Sequence, residues 1–437
     1  MKNRRRRRGI SFGTCLMVLI TLCVSLGFGT VLPRLHAGTT ISPEAATAFG
    51  ALNLSDIPKL SLSEIPIQDK TVRITAAPTV TPAPTLAPDL MPETTPEPVS
   101  SSCTLTLGGS VMIETNVRRS GYYDDAETWD FTEIMTLLAP KLQADVTMVS
   151  LENLIYADAK KSDTVTAEEV VSMLTSAGVD AVALGFPKVY DHGIAGLSST
   201  VNAMHGKGLA VVGARAQEDE EPFVMITRNG VKMALLHYTD TVSSTGTKKL
   251  KNEKASFAVP MAKAENIAED IKAARAAGAH AVIVSVNWGA DDKSAPNKAQ
   301  KELAQKIADA GADVILGTGT KVVQPVVWLE GADGNKTLCA YSMGVLICDG
   351  RSNGNVAGML MHLKLSVDAD GVLSMDRTTY TPTYVWRYRQ DGDYYYRIVP
   401  SNNATPPDGM EEDQIKSMTR ALQTIETALG ADSPLTR

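Results

Sequence analysis

The chain is predicted to fold as an α/β domain with helices flanking sheets, and three observations predict it. Apolar runs at 144–151, 179–184, 231–238, 281–288 and 312–316 have the length and texture of buried strands. Between them lie Ala/Lys/Glu-rich segments with helical spacing at 167–177, 194–207, 262–277 and 297–310. Gly178, Gly208, Gly278 and Gly311 stand where those helices should stop. Alternation of this kind stacks into layers, because each element must bury one face against another.

Taken from the N-terminus, the first hundred residues do not look globular. Lys2 and Arg4 to Arg8 form an Arg-rich tip over residues 1–9, followed by an uncharged run from Ile10 to Leu32. As a helix that run spans roughly 35 Å, enough for a hydrocarbon core of about 30 Å. Consecutive arginines before it place the tip in the cytoplasm and everything after it outside, as a single-pass signal-anchor in the cell membrane. The alternative is secretion after cleavage near Ala37; the run exceeds the ordinary length of a signal-peptide core. Residues 33–102 read as an extracytoplasmic linker, with seven prolines from Pro78 to Pro98 among threonines and alanines. Such a tract favours extended backbone and acts as a semi-rigid spacer.

From Cys103 the texture becomes globular. Toward 356–399 the pattern changes to paired strands about Asp368-Ala369-Asp370-Gly371, a hairpin turn. Residues 401–437 are expected to be a tail with one amphipathic helix, 410–429, carrying Met418, Leu422, Ile425 and Leu429 on one face.

Composition narrows the function. Residues 1–34 hold seven positive charges and no acidic residue, so a chain of net charge −7 leaves its remainder near −14. An acidic exterior argues against nucleic acid as a partner and makes docking on an anionic polymer electrostatically uncomfortable. Two of the five cysteines, Cys15 and Cys23, lie in the apolar run. Cys103, Cys339 and Cys348 are too few for a disulfide framework.

Four stretches carry the motif content: Leu107-Gly108-Gly109-Ser110-Val111-Met112-Ile113, Val149-Ser150-Leu151-Glu152-Asn153, 184–193 from Leu184 to Gly193, and 317–325 from Gly317 to Pro325. Asn287-Trp288-Gly289 and Tyr341-Ser342-Met343-Gly344-Val345-Leu346 stand in order among them. The ordered set resembles the CapA family of poly-γ-glutamate or capsule synthesis proteins over about 103–400. The resemblance implies a metallophosphatase-like layered sandwich of mixed sheets flanked by helices. It also implies divalent metals held by Asp, Asn and His side chains, and a place in cell-envelope or capsule polymer biology.

At the positions where that pattern implies metal ligands, this chain has Gly109, Ser150, Phe186, Lys188, Asn287, Thr318, Gly319 and Lys321. Divalent cations need carboxylate, imidazole or amide donors converging at about 2.0–2.6 Å. Two-metal hydrolysis needs two such clusters about 3.5–4 Å apart. The expectation is therefore a degenerate member with no metal cofactor and no catalytic residue of the family type. A residual cleft of Glu152, Lys188, Asp191, Asn287 and Lys321 remains a candidate, in which ammonium groups replace part of the missing cation's charge. The bland reading is that both lysines reach solvent and Phe186 plugs the cleft.

Two functions follow. One is a non-catalytic binding or scaffold component whose partners are the membrane through 10–32 and an anionic envelope polymer or a capsule-assembly protein. The other is a hydrolase or transferase with relocated, metal-independent chemistry using Glu152, Asp191, Asp291 or a lysine. Convergence of Glu152, Asp191, Lys188 and Lys321 in an open cleft would favour the second. His237 reads as a packed strand end, and Ser342 lacks a nucleophile elbow or base.

Overall fold

The structure is a computed structural model that describes residues 101–437 apart from 125, 157–163, 351–353 and 402–405. The expected membrane run at 10–32 and the spacer at 33–102 lie outside the described residues, apart from 101–102. Among the described residues no helix is long and apolar enough to cross a membrane.

In chain order the strands of the first half are β1 (Ser101–Val111), β2 (Tyr122–Tyr123), β3 (Thr128–Trp129), β4 (Val146–Leu151), β5 (Leu154–Ile155), β6 (Val165–Thr166), β7 (Ala181–Leu184), β8 (Ala210–Gly213) and β9 (Val224–Arg228). They continue as β10 (Val231–Thr239), β11 (Ala281–Asn287), β12 (Val314–Thr318), β13 (Val326–Glu330), β14 (Lys336–Ala340), β15 (Val345–Ile347), β16 (Ala357–Val367), β17 (Leu373–Gln390) and β18 (Asp393–Pro400). The helices are α1 (Thr115–Ser120), α2 (Thr132–Met135), α3 (Glu169–Ala177), α4 (Gly193–Gly206), α5 (Ser244–Glu253), α6 (Ala264–Ala276), α7 (Lys298–Asp309) and α8 (Glu412–Leu429). The strands and helices expected over 144–316 are present with ends within two residues of those read from the sequence. Helix α5 was not anticipated: its sequence shows no apolar stripe, and only Gly246 in it is buried.

Two mixed sheets face one another. One runs β18-β17-β16-β1-β4-β7-β8, with β15 also beside β1; the other runs β13-β14-β12-β11-β10-β9. Each has a parallel centre, β1-β4-β7-β8 and β10-β11-β12-β14, and antiparallel strands outside it. The period-2 alternation of a strand sorts side chains onto two faces. Along β11, Ala281 and Ile283 enter the core between the sheets, while Val282, Val284 and Val286 pack beneath α6 and α7. On the first sheet Val146 and Met148 of β4 face inward, and Val149 and Leu151 face the core under α3 and α4. The result is a four-layer α/β/β/α sandwich, the layered arrangement expected.

The C-terminal segment corrects one boundary. Helix α8 packs against β16 and β17, with Met418, Ala421, Ile425 and Leu429 joining the inter-sheet core. Leu422 sits at the margin and Ala421 takes the buried place. Each large apolar side chain buried this way stabilises by roughly 1.5–3 kcal/mol. The last residues add backbone pairing, with Thr436 N–H donating to Thr378 O at 3.1 Å. Residues 406–437 are thus part of the domain rather than a tail. The hairpin at 368–371 forms as read, with Gly371 N–H on Asp368 O at 3.1 Å. Cys103, Cys339 and Cys348 are free and buried.

Candidate functional site

The inner faces of the parallel strands change character at their C-terminal ends. On β4, Val146 and Met148 give way to Ser150 and then Glu152; on β11, Ala281 and Ile283 give way to Ser285 and Asn287. On β12, Val314 and Leu316 are followed by Thr318, and on β10, Met233 and Leu235 by His237 and Thr239. Carboxyl ends of parallel strands are where α/β sheets place ligands. Here the alternation brings a layer of polar side chains between the sheets, above the apolar core.

Strand β1 contributes through an irregularity. Its pairing with β4 shifts register between Leu107 and Ser110. A bulge of this kind re-aims the following side chain, so Ser110 rather than Gly109 enters the polar layer. Ser110 Oγ–H donates to Glu152 Oε1 at 2.7 Å, and Asn287 Nδ2–H donates to the same oxygen at 3.3 Å. Thr318 Oγ1 lies 3.5 Å from Asn287 Nδ2. Among the described residues no hydrogen-bond donor meets Glu152 Oε2. Burial pushes the Glu152 carboxyl above its ordinary range, opposed by the Ser110 hydrogen bond and the Lys321 charge.

Lys321 stands over this cluster from the loop after β12, at φ 62°. Its Nζ pairs with Asp291 Oδ2 at 2.8 Å. Burial works against the ammonium, but Asp291, Glu114 and Glu152 outweigh it and hold the pKa above the ordinary lysine value. Glu114 in turn accepts Asp349 N–H at 2.7 Å. One cation and three carboxylates therefore share the end of the sandwich.

The residues present do not fit the divalent metals that the resemblance implies. Among the described residues no three His, Cys, Asp or Glu side chains gather as metal ligands. At Gly109 an added Cβ would lie 2.3 Å from Gly344 O, so no side chain enters from that position. At Gly319, φ is 97° and an added Cβ would meet Asn287 Oδ1 and Trp288 O, both at 2.9 Å. The backbone has closed onto positions that would have to carry ligands. Asn287, the remaining amide, already serves Glu152.

Of the five candidates, the structure brings together Glu152, Asn287 and Lys321. Lys188 is exposed on the turn after β7 and forms no ion pair among the described residues. Asp191 accepts a hydrogen bond from Ser243 Oγ, the residue that caps α5. The family pattern placed both in the cleft, but they belong to a turn, whose direction that pattern does not set. Phe186 is buried in the apolar core beneath the helices rather than plugging the polar layer. Asp291, named only for relocated chemistry, and Ser110 and Glu114, not named, are the missed members. The Ser110 signal was the glycine pair before it, which permits a bulge.

His237 is sealed deeper. Its Nε2 lies 2.9 Å from Gly185 O and its Nδ1 3.0 Å from Ser285 Oγ. A carbonyl only accepts, so Nε2 carries the proton and Ser285 donates to Nδ1. Burial lowers its pKa to about 4. Trp288 is buried and anchored, its Nε1–H on Tyr341 O at 2.9 Å.

Comparison with known proteins adds the lineage. A 198-residue stretch is 29% identical to the capsule biosynthesis protein CapA of Bacillus anthracis, covering 44% of this chain and 46% of that one. A 167-residue stretch is 30% identical to the PGA biosynthesis protein CapA of Bacillus subtilis (strain 168), covering 36% and 40%. These matches span less than half the length of either relative. The calcineurin-like phosphoesterase YfkN from Bacillus subtilis superposes with a TM-score of 0.39 at 15% identity, over 76% of this chain and 99% of that one, a likeness too loose to carry an argument. Residues 104–350, more than half of the chain, match the family described as bacterial capsule synthesis protein PGA_cap, and the chain belongs to that family.

Proposed function

We propose that this protein is a non-catalytic binding or scaffold component of capsule polymer biology, of the poly-γ-glutamate type named for its relatives. The observation that carries the reading is the Ser110–Glu152–Asn287 cluster under the Lys321–Asp291 ion pair. An ammonium supplies positive charge there, but it cannot bind and acidify water as a metal does. In the same reading the run at 10–32 anchors the chain in the membrane and 33–102 spaces the domain away from it. Secretion after cleavage near Ala37 is the alternative.

Glu152 supports the second reading in one respect. A carboxyl with a raised pKa beside a lysine suits general acid–base work, so divergent metal-independent hydrolysis or transfer is the competing function. The two separate in a strain lacking the chromosomal copy. On the scaffold reading, a Glu152→Gln protein restores polymer output to within about twofold of wild type. Loss of output with the protein present and folded would establish relocated chemistry instead.

A further inference from the structure

Beyond Val385, β17 leaves β16 behind and pairs with β18 alone, so 386–397 form a two-stranded arm at the edge of the first sheet. Its tip is Asp391-Gly392, with φ 53° and 91°, the paired positive angles of a tight hairpin turn. Directly paired residues in an antiparallel ribbon share a face. Trp386↔Arg397, Tyr388↔Tyr395 and Gln390↔Asp393 therefore lie on one face, and Arg387↔Tyr396 and Arg389↔Tyr394 on the other.

The first face is braced. Trp386 Nε1–H donates to Gln414 of α8 at 3.0 Å, and Arg397 pairs with Glu133 at 2.6 Å. On the second face Tyr396 is buried and Arg387 half-buried, and the outer part, Arg389 and Tyr394, is open. Arg387 Cζ lies 4.3 Å from the Tyr394 ring centroid and Arg389 Cζ 5.8 Å, while Tyr394 is 42% exposed. Neither arginine forms an ion pair among the described residues. The arm's acids do not cancel them: Asp393 is on the braced face and Asp391 is in the turn. Both guanidinium groups lie against Tyr394, and Arg389 Nε–H donates to Gly392 O at 3.2 Å; the N–H groups that remain suit bidentate binding of carboxylates.

The same face leads to the site. Tyr396 O–H donates to Asp349 Oδ1 at 2.5 Å, and Asp349 N–H donates to Glu114, whose charge acts on both Glu152 and Lys321. An arginine pair with no ion-pair partner among the described residues, on an otherwise acidic domain, is a local exception to its field. We infer that the Arg387–Arg389–Tyr394 face of the arm is a docking platform for a chain of repeated carboxylates, passing beside the degenerate site. This rests on the polymer reading above, and it reconciles an acidic protein with an acidic polymer: contact is confined to one basic strip.

The test is calorimetric titration of the full chain with poly-γ-glutamate of defined length at low salt. Wild type should bind, Arg387→Ala/Arg389→Ala should weaken binding by about tenfold or more, and Tyr394→Ala should weaken it less. Lys298→Ala/Lys301→Ala, the same charge change on the exposed face of α7, should leave it unchanged. If wild type binds and the arm variants bind equally well, the platform is overturned while the polymer reading stands. No binding by wild type overturns both. Equal affinity for polyphosphate of matched length overturns the commitment to carboxylates.

Discussion

Two polar layers lie between the sheets, one above the other, and they are built on opposite principles. In the lower, His237 is paired in register with Ser285, both ring nitrogens are satisfied, and the residue is 1% exposed. In the upper, paired across β11 and β12 as Asn287↔Thr318, Glu152 concentrates two donors on one oxygen, leaves the other open, and keeps a lysine and two further acids close by. A neutral, closed pair costs little to bury, whereas a charged and partly satisfied group is expensive unless compensated. The lower layer is joinery between sheets. The upper has the character of a site, although among the described residues no three His, Cys, Asp or Glu side chains gather there as metal ligands.

The most disruptive way to sharpen this contrast is to rebuild a ligand. Gly109→Asp places a side chain against Gly344 O, and it should cost about 3 kcal/mol or more. Denaturant unfolding checks this, and a stable variant that gains a metal would contradict the claim that the backbone has closed.

Acid breaks the lower layer. His237 titrates at about 4 in the fold, against 6.5 when unfolded. Its contribution is complete above about pH 6.5 and is lost as pH falls toward 4, roughly 3 kcal/mol in all. Glu152 has the opposite sign: its raised pKa favours the fold at low pH and that contribution fades as pH rises through it. Unfolding free energies at about pH 4.5 and pH 7 should converge in His237→Gln relative to wild type; an unchanged pH slope would remove His237 as the acid-sensitive joint.

Smaller effects belong to the upper layer. Lys321→Met removes the ammonium from among Asp291, Glu114 and Glu152. Because Asp291 is 61% exposed and well screened, the loss should be only about 1 kcal/mol, smaller still at high salt. Salt-independent destabilisation would mean that the lysine acts through packing. Glu152→Gln should give the smallest change, a slight gain in stability near pH 7, since it removes a buried charge but keeps an acceptor for Ser110. A clear loss would show that Glu152 is structural after all.

The layered fold was legible because short apolar runs such as 281–288 alternate with segments of 3.6-residue period such as 297–310. The upper layer was half legible. Glu152, Asn287 and Lys321 all follow from the family pattern. Ser110 escaped because a bulge shifts the phase of β1, and Lys188 and Asp191 were misplaced because the family pattern does not set the direction of a turn. The arm escaped too, although the alternation Trp386-Arg387-Tyr388-Arg389 before Asp391-Gly392 encodes its two faces.

The central claim is tested most directly by metal content. Elemental analysis of the purified full-length protein, followed by titration with Mn²⁺, Zn²⁺ and Mg²⁺, should find no tight stoichiometric metal. One or two tightly bound ions per chain would contradict the account and return the upper layer to hydrolytic chemistry.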